Sequence, residues 1–254
     1  MMGALESLSE TLQPYKDNVG LVASVVTIGQ FFTGGFICKD IYKQKSTKGI
    51  AAIPFIGGLV IGVLMLKYAL LLNDPAMLQV NLAAIILNVI YLLFYCCYSQ
   101  DLGKEVFKPL SIGVALVAVF MGYANVESEE NLEFRFGLAV TVLMLLLIGS
   151  PLLDVARYIQ EKDASSIPFP MTLMGAIVSF LWFVYGIILL NYFMIVQNLI
   201  GFALCMVQLI LIFLYPGSPE KKSDNPKCNP LISCKAVCSP RSNQRICSCE
   251  KDNK

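Results

Sequence analysis

The 254 residues are 56% apolar and only 15% charged, carry a net charge of +1, and include no histidine. A soluble domain of this size needs a more polar surface, so the composition points to lipid as the solvent. The missing histidine removes imidazole ligands, His general bases and His proton relays, and the near-neutral balance gives no sign of nucleic-acid binding.

About 20 apolar residues span the hydrocarbon core of a bilayer, where backbone N–H and C=O groups must pair within a helix. Residues 1–17 are an N-terminal segment with acidic Glu6, Glu10 and Asp17, so the first apolar window, 18–38, reads as a retained helix and not as a cleaved signal. Further windows follow at 51–73, 76–98, 106–125, 134–153, 169–190 and 193–215, seven in all. The connections after windows 1, 3 and 5 hold Lys39, Lys43, Lys45, Lys48, Lys104, Lys108, Arg157 and Lys162, and the tail adds eight more basic residues. The opposite side has only Lys16 and Arg135, beside Glu127, Glu129, Glu130 and Glu133. The excess of Lys and Arg predicts an extracellular N-terminus and a cytosolic tail.

Sliding the chain against itself by 117 residues, without gaps, aligns windows 1–3 with windows 5–7. Gly20 meets Gly137, Lys45 meets Lys162, Gly58 meets Gly175, Tyr68 meets Tyr185, Met77 meets Met194, Asn81 meets Asn198 and Tyr98 meets Tyr215. The expected architecture is an all-α membrane protein of two parallel three-helix units, residues 18–98 and 133–215. A linker over 99–132, with the fourth helix, joins them in a 3+1+3 plan. Parallel repeats of this kind place a substrate site at their interface.

Two features stand out within the spans. Asn81 and Asn198 are matched amides several residues inside the membrane from the outer end; an amide in lipid is costly unless hydrogen-bonded. Facing each other across an axis they suit a polyhydroxylated neutral ligand and do not suit an ion. The alternative is interhelical glue. Trp182, the only tryptophan, falls in the middle of its window, where an indole face can pack against sugar C–H groups or serve simply in packing. Its mate in the repeat is Met65. Lys67 reads as an outer-rim charge within reach of Asp74, and Pro54, Pro151, Pro168 and Pro170 cluster toward the cytosolic ends as bending points. No Asp or Glu lies at mid-membrane, which favours movement down a gradient over proton coupling.

The stretches KQKSTKGIAAIPF, VNLAA, SSIPFPMTLMGAIVSFLWFVYG and VQNLIGFAL resemble the SWEET family of sugar transporters, with likeness over roughly residues 10–216. The resemblance implies a facilitative, bidirectional uniporter of mono- or disaccharides, with Asn81 and Asn198 contacting the sugar and Trp182 and Met65 lining the pocket. It further implies an outer gate of Tyr68 and Asn191, and a cytosolic hinge of Pro54, Pro151 and Pro168, with Gly34 in place of the first-helix proline. An animal member is expected, without cofactor or metal, in the plasma membrane or an endomembrane such as the Golgi, and as a homo-oligomer. A PQ-loop carrier of another solute and a seven-helix receptor are the alternatives; no enzyme motif is present. The tail, residues 216–254, carries Cys228, Cys234, Cys238, Cys247 and Cys249, and reads as disordered with free thiols or with palmitoylated ones.

Overall fold

A computed structural model describes the backbone of residues 2–216 and the side chains of 3–146 and 155–216. The expectations for the tail cysteines and for the side chain of Pro151 lie outside these. All regular elements among the described residues are helical. Helix α1 covers Met2–Leu12, and a 3-10 turn at Gln13–Tyr15 leads into α2, Lys16–Phe31. Next come α3, Gly34–Gln44; α4, Ile53–Leu72; and α5, Pro75–Tyr98. A π-helical turn at Gly103–Phe107 precedes α6, Lys108–Val126, and α7, α8 and α9 follow over Glu129–Glu161, Phe169–Ile188 and Tyr192–Leu214.

Among the described residues, six helical runs are long and apolar enough to cross a membrane: Gly3–Gln44, Ile53–Leu72, Pro75–Tyr98, Gly103–Val126, Phe169–Ile188 and Tyr192–Leu214. Helix α7 occupies the fifth predicted window. The boundaries of α4, α5, α6, α8 and α9 fall within two residues of the apolar windows because the windows end where Pro, Asn and charge begin, whereas α7 starts five residues before its window and ends eight after it. Pro54, Pro75 and Pro109 each stand in the first turn of a helix, where the missing N–H breaks no bond. Pro168 is the N-cap of α8. The loosened turn expected from Pro54 and Pro168 is therefore not formed; these prolines set where the helices start.

Two differences concern the first window. Its helix is broken between Phe31 and Gly34, and Tyr91 donates its hydroxyl to the freed Phe31 carbonyl at 3.1 Å. A Cβ on Gly34 would come within 2.5 Å of the Tyr91 ring, so glycine is required for that approach. Ahead of it, in the segment expected only as an extracellular N-terminal stretch, residues Met2–Leu12 fold into α1, which packs on α8 as α6 packs on α4.

The backbone repeats itself at the same offset as the sequence. Among the described residues, the four non-glycine residues with positive φ are Lys45, Lys162, Asn73 and Leu190, two pairs each 117 residues apart. They end equivalent helices. Between the repeats, α2 packs on α8 and α4 on α7, again equivalent pairs.

The apolar clusters divide the molecule by height. At the end carrying the 127–133 acidic loop, one cluster draws on both repeats and the linker: Leu64, Tyr68 and Met77 meet Ala124, Phe136, Val140, Trp182, Tyr185 and Met194. At the basic end each repeat has its own. Ile41, Phe55, Tyr95 and Val106 form one, and Val155, Tyr158, Ile167 and Leu204 form the other.

Candidate functional site

At the acidic end the short turns α4–α5 and α8–α9 are built alike. Asp74 caps α5, its Oδ1 accepting the Met77 amide at 2.9 Å; Asn191 caps α9, its Oδ1 accepting the Met194 amide at 3.0 Å. Each cap has a second polar atom left, and a tyrosine of the other repeat reaches it. Tyr185 donates its hydroxyl to Asp74 Oδ2 at 2.7 Å, and Asn191 Nδ2 donates to the Tyr68 hydroxyl at 2.8 Å. Both tyrosine rings lie flat enough against the neighbouring helix to need glycine there. A Cβ on Gly20 would meet Tyr185 at 3.0 Å, and one on Gly137 would meet Tyr68 at 2.8 Å. Gly20, Gly137, Tyr68 and Tyr185 repeat in sequence because one packing contact is made twice.

The result is a pair of crossed latches joining the repeats. Asp74 is 3% exposed and Asn191 8%, so neither bond competes with bulk water. A buried neutral hydrogen bond contributes about 1 kcal/mol net, and one to a carboxylate roughly twice that. The Asp74 latch is therefore the stronger. Among the described residues no ion pair joins Lys67 to Asp74, whose oxygens accept the Met77 amide and the Tyr185 hydroxyl.

Asn81 and Asn198 lie seven residues along α5 and α9 from these caps, about 10 Å deeper at 1.5 Å per residue. They do not bond each other. Asn81 donates to the Met77 carbonyl at 2.8 Å and Asn198 to the Met194 carbonyl at 2.9 Å, the same four-residue return in both repeats. This return fixes each amide on its helix and leaves Oδ1 and one N–H. No fully buried side-chain oxygen or nitrogen lacks a partner among the described residues, so neither half-buried amide is sealed unsatisfied in the core. Asn88 makes the same return to Ala84, so the bond alone does not mark a site.

Trp182 and Met65 both belong to the shared cluster at the acidic end. The indole N–H donates to Thr27 Oγ1 at 2.8 Å, and Thr27 in turn donates to the Ala23 carbonyl at 2.6 Å. Tyr185 meets the indole edge-on at 5.6 Å. The ring is thereby fixed from two sides. At the equivalent place the repeat puts Met65 and Met144, two flexible apolar side chains. Thr27 is a residue that sequence reasoning missed: a threonine in an apolar helix carries no signal until its partner is known. Gln197 donating to Thr141 is a second such buried pair. Asp74 and Tyr185 were legible in principle, because the 117-residue offset carries Asn191 and Tyr68 onto them.

At the basic end, Glu105 binds the first repeat to the linker. Its Oε2 accepts Ser99 Oγ at 2.6 Å and Thr47 Oγ1 at 2.9 Å, with the Tyr95 hydroxyl at 3.3 Å. A pocket of about 490 Å³ adjoins it, lined by Thr47, Ile50, Tyr95, Lys104 and Lys108 among others. None of Asn81, Asn198, Trp182 or Met65 lines it.

A helical chain of two repeats, with apolar helices long enough to span a bilayer and polar side chains matched between the repeats, defines a polytopic membrane protein. The profile of a family described as "Sugar efflux transporter for intercellular exchange" matches residues 17–102 and 134–220, two segments that begin 117 residues apart. "Sugar transporter SWEET1" of Drosophila pseudoobscura pseudoobscura is 28% identical over 196 residues, covering 76% of this chain and 87% of the relative. "Bidirectional sugar transporter SWEET9" of Arabidopsis thaliana is 26% identical over 219 residues, covering 84% of each. The solved structure of a eukaryotic SWEET transporter superposes with a TM-score of 0.73 at 20% identity, covering 82% of this chain and 100% of that one; it shows a shared fold. The chain belongs to the SWEET family and is an integral membrane protein.

Proposed function

We propose that this chain is a facilitative, bidirectional carrier of mono- or disaccharides, working by alternating access around a site between its two repeats. The arrangement is the 3+1+3 plan of seven spans, with α7 as the fifth. The acidic end faces outside and the basic end and tail face the cytosol, in line with the Lys and Arg distribution. The observation that carries the reading is the pair of crossed latches above two matched amides. With Tyr68–Asn191 and Asp74–Tyr185 bonded, the outer path is shut, while the separate basic-end clusters leave the two repeats free to part toward the cytosol.

In this reading the Asn81 and Asn198 amides each offer a donor and an acceptor to sugar hydroxyls, and the Thr27-fixed indole of Trp182 offers a flat face to sugar C–H groups. The helix break at Gly34 is the first-repeat hinge, Pro54 and Pro168 mark helix starts that move, and Pro151 is a hinge position within α7. A few hydrogen bonds and one stacking surface, less the cost of immobilising the sugar, fit millimolar binding of about −4 kcal/mol. Weak binding lets the sugar leave. Plasma-membrane residence and a homo-oligomer belong to the same proposal. Uptake of labelled glucose and of a labelled disaccharide into vesicles tests it. Asn81→Ala and Asn198→Ala should each abolish flux while leaving folded protein in the membrane; normal transport by both variants sinks the assignment. Flux of a different solute with no sugar flux points instead to a carrier of another class.

A further inference from the structure

Helix α1 has no counterpart in the expected plan, and at 11 residues it is about 16 Å long, too short to span. Its contact with α8 is specific. Ser9 and Gln13, four residues apart and so on one face, both donate to a single acceptor, the Ile188 carbonyl, at 3.0 and 2.8 Å. Ile188 is the last residue of α8, and its carbonyl is one of the four that a helix end leaves without an intrahelical partner. The turn satisfies the other three: Leu189, Leu190 and Asn191 amides return to Tyr185, Ile187 and Gly186. The two lone pairs of the Ile188 carbonyl go to α1 and to the 3-10 turn that follows it. Ser9 is 3% exposed.

The equivalent turn in the first repeat manages alone. There Leu71 stands for Ile188, and among the described residues no side chain donates to its carbonyl. The two turns differ at the residue that enters the left-handed region. In the first repeat it is Asn73, φ 51°, a residue type that tolerates this region; in the second it is Leu190, φ 52°, a type that rarely does. The next residue is Asn191, the cap and latch. A turn under strain sits beside the latch, and a separate helix holds its last free carbonyl.

We propose that α1 is a clamp on the outer gate, with Ser9 and Gln13 acting as positioning residues that hold the α8–α9 turn in the shape that presents Asn191 to Tyr68. The inference rests on the outer-latch reading above, and it adds a control that only the second repeat possesses. Releasing the clamp lets the strained turn relax, moves Asn191 off Tyr68 and raises the population open to the outside.

The test uses the full chain in intact cells, with Ala84→Cys as a thiol reporter one turn below Asn81 and Cys205→Ala to lower background. An impermeant thiol reagent applied from outside labels the reporter at a rate proportional to the outward-open population. Tyr68→Phe breaks a latch directly and should speed labelling; if it does not, the gate reading itself fails. Ser9→Ala with Gln13→Ala should speed labelling about fivefold, the change expected from loss of one net hydrogen bond. Gln13→Ala alone, at an exposed position where folding is not at stake, should speed it about two- to threefold. Adding Leu190→Asn to the double variant makes the second turn resemble the first and should return labelling to the starting rate, a rescue that a merely structural α1 does not produce. A faster rate with Tyr68→Phe, but none with either clamp variant, overturns the clamp.

Discussion

The two ends of the helical bundle are held together by different means. At the acidic end, one apolar cluster and two crossed latches tie repeat to repeat. At the basic end each repeat closes on itself, the first around Phe55, Tyr95 and the Glu105 hub and the second around Tyr158, Ile167 and Leu204. The two latch bonds join repeat to repeat at the acidic end, while three bonds converge on Glu105 within the first repeat and linker at the basic end. The contrast teaches that polar bonds do different work at the two ends. In the proposed cycle the two latches break and the bonds to Glu105 persist.

Mutations separate the two kinds. The largest effect is expected from Asp74→Ala, which strips the Met77 amide of its cap and leaves the Tyr185 hydroxyl buried without a partner. A lost cap costs about 1 kcal/mol and an orphaned buried hydroxyl about 1–3 kcal/mol, so thermal unfolding in detergent should register a loss of roughly 2–4 kcal/mol. Asn191→Ala makes the same cut through a neutral pair and should cost about 1–2 kcal/mol by the same measurement. Equal losses from the two would contradict the ranking of the latches. Glu105→Gln acts within one repeat. It should raise amide exchange over residues 47–50 and 95–105 and leave the turns at 73–77 and 190–194 as they were; a rise at those turns would show the two ends to be coupled.

The smallest effect belongs to pH. The Tyr123 hydroxyl at 2.6 Å, and after it the Arg135 guanidinium at 2.9 Å, hold the Glu127 carboxyl below the ordinary carboxylate range. A depressed carboxyl contributes stability that is fully present above the ordinary carboxylate pKa and is lost as pH falls through the lower, folded value. Protection of the 123–131 amides, taken relative to the intrinsic exchange rate at each pH, should therefore fall on acidification only below the ordinary range of a glutamate. A fall in protection already near neutral pH would assign the junction to some other group.

Much of this arrangement was legible in the chain. The apolar windows located α4, α5, α6, α8 and α9 to within two residues, because a backbone in lipid has few alternatives to a helix. The 117-residue offset located the paired glycines, tyrosines and asparagines, and the structure gives the physical reason: Tyr68 rests on Gly137 as Tyr185 rests on Gly20. What was not legible depends on partners distant in sequence. Thr27 is unremarkable until Trp182 comes beside it from 155 residues away, and Ser9 until the end of α8 comes beside it from 179. A proline near the end of an apolar window reads equally well as a kink or as the first turn of a helix, and Pro54 is the latter.

The central claim is that the repeats part at one end while they join at the other. Spin labels at Lys43→Cys and Glu161→Cys report the distance between the basic ends, and labels at Asn18→Cys and Glu133→Cys report the acidic ends, in reconstituted protein lacking its native cysteines. Saturating sugar should draw a fraction of the molecules into a shorter basic-end distance and a longer acidic-end distance, in equal proportion. Two distances that stay fixed, or that lengthen together, would contradict a rocking carrier hinged around Asn81 and Asn198.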